Sequence, residues 1–141
     1  MFIMKISIIY ATSKDINYLK KNDSHISLKM LKKKVFGKEI LIAKDGKTYI
    51  GWLRFGYFWD IIPFMSMLAI EDDYQRKGIG KQLVQFWEKA MKKEKSKFIM
   101  TSSRADETAQ HFYRKLGYHD AGALFEINNG PAEVFFIKTL R

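Results

Sequence analysis

The sequence predicts one α/β (α+β) domain with a mixed, mostly antiparallel sheet of about six to seven strands and about four flanking helices. Its 141 residues, 47% of them apolar, can bury one substantial core but are too few for two ordinary domains. An Asp-Gly signal between two β-rich segments predicts an early hairpin. A strand, a glycine turn, an amphipathic helix and another strand follow, and a helix between two strands predicts a parallel pair.

The first third of the chain predicts one strand and two short helices. Residues 1–11 are apolar and typical of a first strand, because they are far fewer than the ~20 residues of a membrane span and lack a signal-peptide cleavage pattern. We therefore expect a cytoplasmic protein without a membrane partner. Residues 12–20 and 24–35 predict the helices, with Asp23 or Ser24 as the N-cap of the second.

The next segments predict the antiparallel half of the sheet. Residues 40–43 and 48–55 predict a hairpin, because Asp45 and Gly46 between them suit a tight turn. The apolar segment 61–70 has the length of a strand and predicts the next one.

A basic turn with the sequence Gln-Arg-Lys-Gly-Ile-Gly, residues 75–80, leads from this strand into a helix. Its two glycines allow successive N–H groups to face one point, and the helix adds its N-terminal donors and dipole. The turn therefore predicts a pyrophosphate site, although glycines in loops also serve as ordinary turn residues. The apolar residues of the helix share one face: Ile79, Leu83, Phe86, Trp87, Ala90 and Met91.

The last third of the chain predicts a strand, a helix and a hairpin. Residues 98–101 predict a strand parallel to the preceding one, since a helix separates them. Ser103 with Asp106 resembles a capping box, which predicts a helix over residues 104–115 that ends at Gly117. The final hairpin is expected from residues 118–125 and 133–137, on either side of an Asn-Asn-Gly-Pro turn.

The residues of the glycine turn exclude two common nucleotide-binding motifs. A Walker loop needs Lys-Ser/Thr after its last glycine, whereas Gly80 is followed by Lys-Gln. A dinucleotide fingerprint needs a third glycine where this chain has Leu83. Residues 75–80 instead have the form Q/R-x-x-G-x-G/A. Residues 106–118 contain a polar residue, an alanine and an apolar-Tyr pair that leads into Leu-Gly-Tyr.

Both patterns resemble those of the GNAT-type N-acetyltransferases, with similarity over residues 60–120 and, beyond it, in the order of elements. The resemblance implies a GNAT-like sheet whose parallel central strands splay apart, and an enzyme that acetylates an amine with acetyl-CoA. It implies main-chain contacts to the cofactor's pantetheine arm and pyrophosphate. The implied cofactor-binding residues are Leu68, Ala69, Ile70, Gln75, Arg76, Lys77, Gly78, Ile79, Gly80, Lys81 and Asp106.

Three of these side chains have a second interpretation. Arg76 and Lys77 either contact phosphate or are ordinary exposed cations. Asp106 stands where relatives commonly have asparagine. Because aspartate accepts hydrogen bonds but cannot donate them, its other interpretation is a helix cap.

Acetyl transfer from a thioester to an amine needs aligned reactants, a donor for the oxyanion and a proton for the leaving thiolate. The resemblance implies that Tyr113 is the general acid, and a phenol with a pKa of about 10 is protonated at neutral pH. Its spacing alone favours a core tyrosine on the apolar face of a helix. The oxyanion donor is expected among the main-chain N–H groups of residues 68–70.

No general base is assigned from the sequence. Many relatives carry a glutamate on the central strand where this chain has Ser66, so ordered water, Asp60 or Glu71 are the alternatives. His111 and His119 are interpreted as surface or hydrogen-bonded histidines rather than bases.

The aromatic segment 55–60 has two interpretations. It is either part of an acceptor pocket, where the rings would suit an amine's apolar body or its ammonium group, or packing in the core or in a homodimer interface.

Charge and cysteine content limit the partners. The net charge of +10, from 25 basic and 15 acidic residues, favours polyanions such as a phosphorylated cofactor or nucleic acid. The lysine-rich segments 32–34 and 89–97 are interpreted as solvated surfaces, and no nucleic-acid-binding motif is present. With no cysteine, disulfides, thiolate metal clusters and a cysteine acyl-enzyme are excluded, and we expect no metal site.

Two functions stay open from the sequence. One is an acetyl-CoA-dependent N-acetyltransferase acting on a small-molecule or peptide amine. The other is a non-catalytic CoA-binding or nucleic-acid-binding module on the same fold.

Overall fold

The computed structural model describes residues 3–141; Met1 and Phe2, at the start of the predicted first strand, lie outside the described residues. The strands are β1 Ile6–Tyr10, β2 Ile40–Asp45, β3 Thr48–Phe58, β4 Ile62–Ile70, β5 Phe98–Arg104, β6 His119–Leu124 and β7 Glu133–Thr139. The helices are α1 Ile16–Asn22, α2 Leu28–Phe36, α3 Ile79–Lys93 and α4 Ala109–Lys115, with 3₁₀ turns at Ser13–Asp15 and Asp72–Tyr74. Among residues 3–141 no helix has both the length and the apolarity that a bilayer crossing needs.

The strands form one sheet in the order β1-β2-β3-β4-β5-β7-β6. β4 and β5 are parallel, whereas the pairs β1–β2, β2–β3, β5–β7 and β6–β7 are antiparallel. α3 connects β4 to β5, as a parallel neighbour requires. The predicted fold class, a mixed and mostly antiparallel sheet with flanking helices, is therefore confirmed.

One compact unit consists of the chain up to Phe55 together with Met67–Trp87. Its apolar core includes residues from both of its short helices and from β2 and β3. On α2, Leu31 and Val35 lie four residues apart and form the buried face of the helix. The buried members of this core are Ala11, Leu19, Leu31, Val35, Ile40, Ile42 and Trp52.

The second helix of this unit begins later than the sequence predicts. Its N-cap is Ser27, whose side chain accepts a hydrogen bond from Met30 N at 3.2 Å, so the predicted cap at Asp23 or Ser24 is wrong. Asp23 instead ends α1, is 3% exposed, and accepts a 2.9 Å hydrogen bond from Arg54 Nε. A buried carboxylate needs a cation, and this partner lies far away in the sequence, where no local pattern shows it.

The predicted hairpin is confirmed, with β2 and β3 antiparallel and Gly46 at a φ of +59° between them. β3 extends beyond the predicted end at residue 55 as far as Phe58. The connection to β4 is a tight turn formed by Trp59 and Asp60.

The second compact unit consists of Gly56–Ser66 and Glu88–Arg141. β5 pairs with β7 along its whole length, and β7 also pairs with β6. The buried apolar residues of this unit are Met65, Met91, Ile99, Met100, Tyr113, Tyr118 and Phe136.

A half-buried cluster of charged and polar groups joins three segments of this unit. The Glu88 carboxylate accepts hydrogen bonds from Tyr118 OH at 2.8 Å and from Lys138 Nζ at 3.1 and 3.2 Å. Lys138 also donates to Leu116 O at 2.7 Å. Burial and the charge of Glu88 raise the pKa of the Tyr118 hydroxyl. Because these polar groups bond one another, they fix the Tyr118 ring, whose centroid lies 5.8 Å from that of Tyr113.

The predicted capping box at Ser103 and Asp106 is wrong. β5 continues to Arg104 and pairs with β7 up to that residue, and α4 begins only at Ala109. The hydrogen bonds of this long-range ladder hold Ser103 extended, and they outweigh one local cap. Gly117 follows α4 at a φ of +92°, which confirms the predicted left-handed end of the helix.

Candidate active site

The glycine turn lies between β4 and α3, where the sequence predicts it. Arg76 and Gly78 have left-handed φ angles of +61° and +80°. α3 begins at Ile79, and Gln82 N donates to Gly78 O at 3.1 Å. The N–H groups of residues 79–81 therefore lie in the first turn of the helix, where no earlier helical carbonyl can accept their hydrogen bonds. Such amides, together with the positive end of the helix dipole, have the properties of a main-chain anion site, and the predicted contact with pyrophosphate stays a prediction.

Gln75 fastens this turn to the end of β4. Its Nε2 donates to Ile70 O at 3.1 Å and to Asp72 Oδ1 at 3.3 Å. Tyr74 adds a second support, because its hydroxyl donates to Asp45 Oδ2 at 3.1 Å. The structure thus brings together, in one unit, the strand end and the turn that the sequence assigned to the cofactor.

The basic side chains of the turn are open to solvent. Arg76, Lys77 and Lys81 are all exposed. Lys77 Nζ lies 5.4 Å from the centroid of the Tyr74 ring. Exposure agrees with both interpretations of these side chains, so their phosphate contacts stay predictions, and the main-chain site does not depend on them.

The parallel pairing of β4 and β5 covers Phe64 with Met100 and Met65 with Thr101. Both strands continue for several residues beyond these pairs. At the second pair, Thr101 Oγ1 donates to Met65 O at 2.9 Å. A ladder this short agrees with the central strand pair that the resemblance implies.

Tyr113 lies on α4 and is 6% exposed. Its ring centroid lies 5.8 Å from that of Tyr118 and 5.9 Å from that of Phe136. Burial raises the pKa of the phenol to about 12, and a hydrogen bond with Thr101 acts in the opposite direction. The phenol is therefore protonated at neutral pH. It lies beside Thr101, the last residue of β5 that pairs with β4. This position suits a proton donor, whereas the burial also suits a core tyrosine.

Thr101 and Ser103 are polar residues of β5 to which the sequence analysis gave no role in the site: it did not single out Thr101, and it interpreted Ser103 as a helix cap. Ser103 is 7% exposed, and its Oγ has no hydrogen-bond partner within residues 3–141. It follows Thr101 by two positions on β5, so the two side chains share a face. A buried hydroxyl without a partner is costly unless a ligand bonds it. Within its own unit, this hydroxyl is available to bond a ligand that carries amide groups.

Asp106 forms an exposed ion pair with Arg104. Arg104 Nε donates to Asp106 Oδ1 at 3.1 Å and Nη2 donates to Oδ2 at 3.0 Å. This guanidinium lowers the pKa of the Asp106 carboxyl. Because both carboxylate oxygens already accept a hydrogen bond, the contact of Asp106 with the cofactor stays a prediction.

The alternatives for a general base occupy different surroundings. Glu71 Oε1 accepts a 2.5 Å hydrogen bond from Tyr18 OH, and burial together with this bond raises the pKa of the tyrosine. Asp60 is exposed in the β3–β4 turn. His111 and His119 are exposed, which agrees with surface histidines. We assign no base.

The aromatic segment 55–60 divides between core and surface. Phe55 is 2% exposed, and its ring centroid lies 5.8 Å from that of Trp87. Trp59, in contrast, is 75% exposed at the turn. Core packing therefore explains Phe55 but not Trp59.

Comparison with known families identifies the chain. A model of the acetyltransferase (GNAT) domain matches residues 37–120, which is more than half of the chain and includes the glycine turn and Tyr113. The chain belongs to the GNAT family and is an acetyl-CoA-dependent acetyltransferase. The predictions of family, enzyme class and cofactor are thereby confirmed. Comparison with curated protein sequences gives no significant match.

Solved structures share the fold at low sequence identity. The NatC complex bound to Gag peptide and CoA contains a chain that is 21% identical, with a TM-score of 0.82 over 98% of this chain and 100% of that one. NAA60 of Arabidopsis thaliana, in complex with a bisubstrate analogue, is 16% identical, with a TM-score of 0.81 over 96% and 98% of the two chains. The ribosomal-protein-S18-alanine N-acetyltransferase of Escherichia coli is 16% identical, with a TM-score of 0.79 over 96% and 94%. These likenesses concern the fold alone.

Proposed function

We propose that this acetyltransferase moves the acetyl group directly from acetyl-CoA to a primary amine of a peptide or small molecule within a ternary complex. The new bond joins the amine nitrogen to the acetyl carbon, and the bond between that carbon and the CoA sulfur breaks. One proton leaves the amine and one reaches the sulfur. A cysteine acyl-enzyme has no part in the reaction, because the chain contains no cysteine.

The main-chain anion site of the glycine turn is the observation that carries this proposal. When bound, acetyl-CoA supplies an activated thioester. The amides between Gly78 and Lys81 hold its pyrophosphate, and the main chain of residues 68–70 bonds its arm. Ser103 Oγ offers a further hydrogen bond, since it is buried and lacks a partner among the described residues. Tyr113 holds a proton at its phenol oxygen for the leaving sulfur.

The names of the similar structures support one class of acceptor. One is a ribosomal-protein-S18-alanine N-acetyltransferase and another is bound to Gag peptide, which supports a peptide amine as acceptor. A small-molecule amine stays the alternative. The predicted cytoplasmic location is part of the same proposal.

A panel of short peptides with free N-termini and of small diamines tests the acceptor class. We expect thiol release from acetyl-CoA that depends on the amine and matches the amount of acetylated product found by mass spectrometry. Thiol release without acetylated amine, or no release with any primary amine at saturating acetyl-CoA, would contradict direct transfer.

Thermal melting with acetyl-CoA, CoA and a generic oligonucleotide tests the binding-module alternative. A ligand bound by the folded state raises the melting temperature, by the equivalent of about 2.7 kcal/mol when its concentration is 100-fold above its Kd. We expect stabilisation by both CoA forms. If the oligonucleotide alone stabilised the protein, and salt abolished that effect, the nucleic-acid-binding alternative would replace our proposal.

A further inference from the structure

The turn between β3 and β4 carries an aromatic side chain in an unfavourable backbone conformation. Trp59 and Asp60 have φ angles of +55° and +59°, and Ile61 N donates to Phe58 O at 3.1 Å. Two consecutive left-handed residues define the tight turn that Asn-Gly forms most easily. A bulky tryptophan is disfavoured there, and strained residues of this kind cluster at functional sites.

The apolar side chains around this turn are exposed. Trp59 and Ile61 are each 75% exposed and Phe98 is 42% exposed. The Trp59 ring contacts the ring of Phe58 at a centroid distance of 4.8 Å, so one aromatic supports the other. Beside them is a shallow surface cavity of about 540 Å³, lined by Ile61, Ile62, Glu94, Lys95, Ser96, Lys97 and Phe98. Adjoining exposed apolar groups with a polar rim are typical of interaction sites.

Lysines border this apolar surface. Lys95 and Lys97 line the cavity, and Lys92 and Lys93 precede them at the end of α3. All four are exposed, and the ion pairs found within residues 3–141 include none of them. Asp60 and Glu94 contribute two negative charges to the same surface, so four lysines leave the local charge positive. We call Trp59, Ile61, Phe98 and these four lysines the hairpin patch.

We infer that the hairpin patch binds the surface of an anionic phospholipid membrane. Trp59 and Ile61 insert at the level of the headgroups, where tryptophan is favoured, and the lysines attract the phosphates. This inference goes beyond acetyl transfer and differs from our expectation that the protein lacks a membrane partner. That expectation concerned membrane-spanning segments, whereas the hairpin patch would only touch one leaflet.

Charge and shape favour a membrane over a protein partner. The exposed apolar groups lie in and beside a two-residue turn, and a tryptophan next to lysines suits the headgroup region of a lipid surface. The lysines have long stems and no fixed ion pairs, which suits attraction to mobile headgroups rather than a fixed set of carboxylates. A protein partner, including a second copy of this chain, is therefore an outcome of the test.

Intrinsic fluorescence tests the inference directly, because the other tryptophans, Trp52 and Trp87, are only 6% and 0% exposed. The protein is mixed with phosphatidylcholine vesicles that contain about one third phosphatidylserine, and with pure phosphatidylcholine vesicles as a comparison. We expect a blue shift of the emission and co-sedimentation with the anionic vesicles only, both weakened by salt.

Three variants assign the binding to residues. Trp59→Asn is expected to abolish the blue shift and weaken binding at least tenfold without lowering the melting temperature, because asparagine tolerates left-handed backbone. Lys95→Gln with Lys97→Gln is expected to weaken binding about 25-fold, since each lysine near an anionic surface contributes about a factor of five. Lys32→Gln with Lys33→Gln on α2 removes equal charge elsewhere and is expected to have much less effect.

Three results would overturn the inference. The first is no binding to anionic vesicles at physiological salt. The second is equal weakening by the α2 and hairpin-patch lysine variants, which would indicate non-specific attraction by the whole positive charge. The third is self-association that Trp59→Asn abolishes, which would make the hairpin patch an interface between copies.

Discussion

Tyr113 keeps its proton at neutral pH because burial disfavours the phenolate. A thiol has an ordinary pKa of about 8.5, below that of this phenol, so complete proton transfer from Tyr113 to a thiolate is uphill. We therefore expect the larger contribution to come from a hydrogen bond that Tyr113 donates to the charge developing on sulfur.

Replacing Tyr113 by phenylalanine should lower kcat about 100-fold, the usual range for losing a proton donor, and leave the Kd of acetyl-CoA nearly unchanged. Turnover is measured by thiol release and Kd by thermal melting. Tyr57→Phe is the matched control, because it removes a tyrosine hydroxyl of the same unit, one that donates to Met91 Sδ at 4.0 Å. Unchanged turnover in Tyr113→Phe would contradict a proton-donor role and favour the interpretation of Tyr113 as a core residue.

The Asp23–Arg54 pair is the most buried of the ion pairs found within residues 3–141, since its side chains are 0% and 8% exposed. Arg54→Met leaves the carboxylate buried without its cation and should lower the free energy of unfolding by about 3 kcal/mol. Denaturant unfolding measures this. The control is Arg104→Met, which breaks an exposed ion pair and should have no measurable effect. An unchanged free energy of unfolding in Arg54→Met would show that Asp23 finds another partner.

At the scale of elements, the glycine turn should depend on backbone conformation rather than on side chains. Gly78→Val places a β-branched residue at a φ of +80°, where the strain is about 1–2 kcal/mol, and we expect about tenfold weaker binding of acetyl-CoA. The Kd of acetyl-CoA is measured by titrating each variant with the cofactor and following its melting temperature. Gly46→Val imposes similar strain in the β2–β3 turn, at a φ of +59°, and serves as control. Equal affinity in both variants would mean that the turn binds no phosphate.

Local signals explain which elements could be predicted. The β2–β3 hairpin, the glycine turn and α3 follow from residues close in sequence, and all three appear as expected. The predicted cap of α2 is wrong because Asp23 pairs with Arg54 instead. The predicted start of α4 is wrong because Ser103 pairs with β7 as part of β5. Both partners are distant in sequence, and a local pattern contains no information about them.

For the whole molecule, buried tyrosines predict loss of stability at alkaline pH. Tyr113 has a pKa raised to about 12, whereas in the unfolded chain it ionises near pH 10. Between these values the unfolded state loses a proton that the folded state keeps. Stability should fall by about 1.4 kcal/mol per pH unit for this residue.

Thermal melting between pH 9 and pH 12 measures this slope. Tyr118 and Tyr18, whose pKa values are also raised, should steepen it further. Tyr113→Phe should give a shallower decline than the unchanged protein. An identical decline would indicate that Tyr113 ionises freely in the folded state.

The candidate site could be predicted only in part. The glycine turn and Tyr113 lie in recognisable motifs, so their place in the chain could be read from the sequence. Thr101 and Ser103 could not, because their relevance depends on where the β4–β5 ladder stops and on burial. The exposure of Trp59 was hidden for the same reason, since apolar residues in a row do not show which of them face solvent.

The amide of Gln75 has a consequence for how the protein would recognise its ligand. It links the glycine turn to the last carbonyl of β4 with uncharged hydrogen-bond donors. The glycine turn is therefore ordered during folding, before a ligand binds. The entropy cost of ordering it does not reduce the free energy of binding. Ionic strength should then act on recognition through the charges of the ligand and of the exposed Arg76, Lys77 and Lys81, whereas the uncharged donor that holds the turn is unaffected.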